Sequence, residues 1–170
     1  MPLYSIGHSN HDSGRLVSLL KKHSIKIVID IRRVPYSGRF PHFNRDRLSE
    51  LCRQNSIEYT WRGETLGGDK GTDKSMTQLA ADSLYRAAVK ILSDEYSAPD
   101  SPNGCLLCAE KEPSDCHRAK LVGKTLRELK NNPVDVIHIK ANGRTVLQSD
   151  LEASQLIQGG DRAGTLSLFD

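Results

Sequence analysis

The run Ile27-Val28-Ile29-Asp30-Ile31 decides the fold. Apart from Asp30 it is continuously apolar and β-branched, which suits a strand covered on both faces, as in a parallel sheet. Upstream, Leu3-Tyr4-Ser5-Ile6 is a second short apolar run, ending in the turn Gly7-His8-Ser9-Asn10. Between the two, Leu16, Val17, Leu19, Leu20 and Ile25 recur at helical spacing, with Asp12 or Ser13 available as a cap. Downstream, residues 32–44 form a loop rich in proline and basic residues, and a helix follows from Asn44 to Gln54 through Leu48 and Leu51. Ile57 to Trp61 reads as a third strand and Gly63 to Lys74 as an irregular, glycine-rich segment. A third helix carries Leu79, Leu84, Ala87, Ala88, Ile91 and Leu92. Cys105 to Cys108 reads as a strand, Asp115 to Lys130 as a helix and Val134 to Ile139 as a further strand.

The rhythm of strand then helix predicts an α/β fold: a single three-layer domain, with a mostly parallel sheet of about five strands flanked by helices. The pattern fades after Asn142-Gly143. The expected division is therefore an α/β domain over residues 1–143 and a C-terminal extension over 144–170, with Gln158 to Gly164 a flexible tail.

The chain has 170 residues and a formal net charge of +3, enough length to bury a core without staples and too mild a charge to demand a nucleic-acid partner. No apolar run reaches the roughly 20 residues of a membrane helix, so no membrane partner is expected. Met1-Pro2-Leu3-Tyr4 lacks the basic-then-apolar layout of a signal peptide, which predicts a cytoplasmic protein whose Cys52, Cys105, Cys108 and Cys116 are thiols.

In open parallel sheets, ligands sit beyond the carboxyl ends of the strands. The polar segments of this chain fall at those ends: His8-Ser9-Asn10, Asp30 with Arg32 through Phe40, Gly67-Gly68, and Cys108 through Arg118. Arg32, Arg33 and Arg39 in a loop held by Pro35 and Gly38 suit phosphate or another anion, with Ser37, Phe40 and Asn44 beside them. Tyr36, Phe40 and Phe43 interleave with these cations, as in loops that stack bases beside a backbone. Asp30 is placed to orient Arg32 or His8. Glu110 is a candidate general acid or base. Cys116 and His117 stand where a helix is expected to begin, with Ser114 or Asp115 as its cap; a helix N-terminus and Arg118 would favour a thiolate at Cys116. Cys105 and Cys108 would point to opposite faces of a strand and cannot share a metal ion. Cys108, Cys116 and His117 leave a metal site open, but neither a metal nor a cofactor is expected.

These motifs resemble the domain of unknown function 488 family: Gly-His-Ser-Asn at 7–10, Asp-Ile-Arg-Arg-Val-Pro at 30–35, Phe43-Asn44, Leu-Gly-Gly at 66–68, Leu-Cys-Ala-Glu-Lys at 107–111 and Cys-His-Arg at 116–118. The resemblance runs from the N-terminus to Ile139; it implies an α/β fold and a common site for the four loops, but no activity. At the C-terminus, Thr165-Leu166-Ser167-Leu168-Phe169 is similar to the peptide by which bacterial replication and repair proteins bind the sliding clamp, with Thr165 in place of the glutamine typical there.

Three functions remain open. The first is a hydrolytic enzyme on nucleic acid, in DNA repair or base processing, with Glu110, Cys116, His117, Asp30 and His8 doing the chemistry and Ser9, Asn10, Arg32, Arg33, Ser37, Arg39, Phe40, Asn44, Gly67, Gly68 and Arg118 binding the strand. The second is a thiol enzyme on a small anion, of sulfurtransferase or phosphatase type. The third is a non-catalytic nucleotide or nucleic-acid binding module. No oligomeric state is expected from these residues.

Overall fold

The computed structural model describes residues 2–70 and 72–163. Five strands run parallel: β1 (Leu3–Gly7), β2 (Ile27–Asp30), β3 (Glu58–Trp61), β4 (Gly104–Cys108) and β5 (Ile137–Ile139). A sixth, β6 (Thr145–Leu147), pairs antiparallel with β5, and the sheet order is β3-β2-β4-β1-β5-β6. Among the described residues, no helix is long and apolar enough to cross a membrane.

Alternation along the strands sends neighbouring side chains to opposite faces. Val28, Cys105 and Leu107 pack with Leu16, Leu19 and Leu20 of α1 (Ser13–Lys22) and Leu48 and Cys52 of α2 (Arg45–Gln54). Ile29 and Leu106 pack on the other face with Leu66 of the short α3 (Gly63–Leu66), Leu79 of α4 (Met76–Ala81), Val89 and Leu92 of α5 (Ser83–Ser97) and Leu126 of α6 (Lys124–Glu128). The sheet is thus the middle of three layers. Helix starts follow the caps: the Asp12 carboxylate accepts from Arg15 N–H at 2.7 Å, and Asp82 accepts from Leu84 and Tyr85 N–H, which separates α4 from α5.

The crossovers create the cleft. The chain leaving β1 and β2 enters helices on one face, whereas the chain leaving β4 enters α6 on the other. Since β4 lies between β2 and β1, the loops part over its carboxyl end, as at the switch points where ligands bind in open sheets.

Three expectations are corrected. The helix expected over Asp115–Lys130 is in pieces: a 3-10 turn at Pro113–Asp115, a π-helical stretch at Arg118–Gly123, then α6. Neither Ser114 nor Asp115 caps it, and Cys116 ends the 3-10 turn instead of opening a helix. Residues 63–74 begin with α3, so they are not wholly irregular. Beyond Asn142-Gly143, where Gly143 takes φ +80° in the turn and the pattern was expected to fade, the chain forms β6 and then α7 (Gln148–Ala163). The clamp-like peptide at 165–169 lies outside the described residues.

Candidate functional site at the end of the central strand

A cleft of about 1070 Å³ opens over the end of β4. Its walls come close because Gly7 has no side chain: a Cβ there would lie 1.7 Å from the Glu110 carbonyl oxygen. Arg118 fixes the facing loop, donating to the carbonyls of Glu110 at 2.6 Å and Lys111 at 3.0 Å. It is fully buried behind the cleft, and its Nε finds no partner.

Most of the expected site residues do converge. His8, Ser9, Asn10, Arg32, Arg33, Ser37, Arg39, Phe40, Gly68, Glu110, Cys116 and His117 line the cleft. Asp30, Asn44, Gly67 and Arg118 stand behind it and support those that line it.

The support uses up most of the expected anion-binding cations. Asp30 is fully buried and accepts from Arg32 Nε at 2.9 Å, Arg32 Nη2 at 2.5 Å and the Tyr59 hydroxyl at 2.7 Å. Burial, and then the Asp30 charge, push the Tyr59 phenol well above its usual range and keep it a donor. Arg32 spends its remaining nitrogen on the Phe43 carbonyl at 2.9 Å and on His8 Nε2 at 3.3 Å. It is therefore an internal counterion before it is a ligand for phosphate. His8 donates from Nδ1 to the Ser9 carbonyl and receives Arg32 at Nε2, the neutral tautomer with both nitrogens engaged. Burial and then the Arg32 charge lower it to about 4. Arg33 clasps the loop after α3, donating to the carbonyls of Gly68, Gly67 and Glu64 at 2.9, 3.0 and 3.3 Å.

Ser37 and Asn44 serve the loop as well. Ser37 N–H donates to Asn44 Oδ1 at 2.7 Å, and Phe40 N–H to Ser37 Oγ at 3.0 Å. That bond aims the next segment: Arg39 is exposed, with its guanidinium 5.5 Å from the Phe40 ring centroid. Ser9 and Asn10 bond each other at the rim. Glu110 sits at the mouth in an ion pair with Lys70, 37% exposed, without the enclosure expected of a buried acid.

The floor holds the reactive groups. Cys108 Sγ and Cys116 Sγ lie 3.5 and 3.9 Å from His117 Nδ1. His117 Nε2 is 3.1 Å from the Ile31 carbonyl, which can only accept. Nε2 therefore carries the proton, and the Nδ1 lone pair faces both sulfurs. Gly68 presses on the back of this ring: a Cβ there would stand 2.8 Å from His117 Cγ. The neighbouring Cys108 and burial push the Cys116 thiol up, while Cys116 favours the thiolate at Cys108 against its burial. Cys108, Cys116 and His117 bring one ligand atom each within 4.8 Å of one another, a grouping able to hold a metal ion.

Sequence reasoning had Tyr36 among the stacking aromatics and Cys108 only in an open metal group; it missed Lys70 and Lys111 at the rim. Cys108 stood inside the Leu-Cys-Ala-Glu-Lys motif; nothing local marks Lys70 or Lys111, whose loops meet only in the fold.

A family model described as a domain of unknown function, DUF488, matches residues 12–124. That span takes in the 30–44 loop, the glycines at 67–68 and the whole Cys108–Arg118 segment, and it is narrower than the resemblance read from residues 1–139. No curated protein matches the chain.

Proposed function

The chain belongs to the DUF488 family, and from that premise and the shape of the cleft we propose that it is an enzyme acting on nucleic acid. One observation carries the reading: an aromatic and cationic rim stands above a small reactive floor in a single cleft. Tyr36 is 69% exposed at the rim, and Arg39, Lys70 and Lys111 are exposed cations around it. Exposed aromatics stack bases and flexible cations follow a phosphate backbone. A base held out of its stack would then meet the floor of Cys108, Cys116 and His117, as in enzymes that work on extruded bases. Arg32, Arg33 and Arg118 hold the loops in place rather than the strand. In the same reading the Thr165–Phe169 segment brings the domain to a sliding clamp on DNA.

The test is fluorescence anisotropy with labelled single- and double-stranded oligonucleotides across a salt series. The parent binds, and Arg39→Ala/Lys111→Ala lowers the salt slope by about 2, one for each cation withdrawn from a phosphate. Tyr36→Ala costs about 1–3 kcal/mol of binding if one base stacks on it. A chain ending at residue 163 keeps oligonucleotide binding and loses capture by a bacterial sliding clamp. Absence of binding at low salt would sink the proposal and transfer the cleft to a small anionic substrate of thiol chemistry.

A further inference from the structure

We propose that Cys108, Cys116 and His117 bind a zinc ion in a three-ligand site whose fourth position opens into the cleft. The donor set is two sulfurs and one imidazole nitrogen, the soft and borderline donors that select zinc over magnesium or calcium. The three ligand atoms lie within 4.8 Å of one another, and the sulfur–nitrogen spacing is close to that of a metal site. Zinc bonds of about 2.3 Å to sulfur and about 2.0 Å to nitrogen, at tetrahedral angles, place sulfur and nitrogen about 3.5 Å apart. The two sulfur–nitrogen separations here are 3.5 and 3.9 Å.

A second observation points the same way. A metal-bound histidine donates its other ring N–H to a carbonyl or carboxylate, which fixes tautomer and ring plane. The Ile31 carbonyl takes that role toward His117 Nε2 at 3.1 Å, leaving Nδ1 bare toward the sulfurs. Ile31 directly follows β2, its N–H donates to the Leu107 carbonyl at 3.0 Å and its side chain is fully buried, so the acceptor is held at the strand end. Cys116 receives the Arg118 backbone N–H at 3.5 Å, the kind of support that steadies a thiolate ligand.

Among the described residues the group has three members, and all three line the cleft. Structural zinc sites close with four protein ligands, whereas catalytic ones keep a position for water or substrate. A zinc ion here would lower the pKa of its bound water to about 7 and hold hydroxide at the cleft floor.

The metal is read without any nucleic acid, so its failure and that of the proposed function are separate results. The full chain, freed of metal under reducing conditions, is titrated with Co²⁺ and then Zn²⁺. The expected result is about one equivalent of Co²⁺ with the visible absorption of a tetrahedral site and a thiolate charge-transfer band, both removed by Zn²⁺. Cys108→Ser and Cys116→Ser each weaken binding by more than the roughly 10–100-fold that loss of a supporting group costs. Differential alkylation of the unmutated protein needs no variant to fold: Zn²⁺ protects Cys108 and Cys116 and leaves Cys52 and Cys105 as they were. No tetrahedral spectrum from folded protein, a spectrum that survives the double Cys108→Ser/Cys116→Ser change, or a Cys108–Cys116 disulfide forming equally fast with and without Zn²⁺ would each overturn the proposal.

Discussion

Arg32→Ala separates two roles that one arginine cannot fill at once. Read as a phosphate ligand, Arg32 could be removed at the expense of binding alone. Read from its contacts, it neutralises Asp30 inside the protein: their side chains are 5% and 0% exposed. Alanine removes both guanidinium bonds to Asp30 and the donor to the Phe43 carbonyl. The backbone N–H of residue 32 and the Tyr59 hydroxyl would still reach Asp30. Removing one partner of a buried pair costs about 3–5 kcal/mol, because the other charge stays buried without its counterion. At about 2–4 °C per kcal/mol for a chain of this size, the melting temperature falls by about 6–20 °C. Urea unfolding followed by circular dichroism, with oligonucleotide anisotropy on the same sample, measures both roles. Asp30→Leu/Arg32→Leu should recover part of the loss, since an apolar pair removes the stranded charge. An Arg32→Ala protein that melts like the parent yet no longer binds nucleic acid would refute the reasoning.

Two further outcomes follow from buried geometry. His138 is fully buried, accepting from the Ser5 hydroxyl at Nδ1 and donating to Gln148 Oε1 from Nε2, and burial lowers it to about 4. The unfolded chain then takes up its proton first, so this stability is full above about pH 6.5 and is lost as pH falls toward 4, by at most about 3 kcal/mol. Urea unfolding at successive pH values should show that slope added to the one from His8, and His138→Gln should remove only the His138 share. Gly68→Ala places a Cβ 2.8 Å from His117 Cγ and must move the imidazole; cobalt binding should weaken by about 10–100-fold, comparable to losing a supporting group. Unchanged cobalt affinity would show that the ring position is not held from behind.

What the sequence determined by itself was local. The β-branched run at 27–31, the helical spacing of Leu16, Leu19 and Leu20 and the cap at Asp12 each act over a few residues, and each appears in the fold as β2, α1 and its N-cap. Alternation of strand and helix then fixed the parallel sheet and the edge where the loops gather. The tertiary structure decided what each polar side chain does there. Arg33 looked like a free cation until the glycines 34 and 35 positions later presented their carbonyls, and Arg118 until Gly7 let the Glu110 loop come close. His117 was a site candidate without a defined role until the Ile31 carbonyl, 86 positions earlier, accepted a hydrogen bond from Nε2–H and left Nδ1 toward Cys108. The pieces β6 and α7 were missed for the same reason: a three-residue edge strand carries almost no pattern of its own and exists because β5 lies beside it. Propensity and periodicity are properties of neighbours along the chain, whereas the partner of a charge or a lone pair is chosen by neighbours in space.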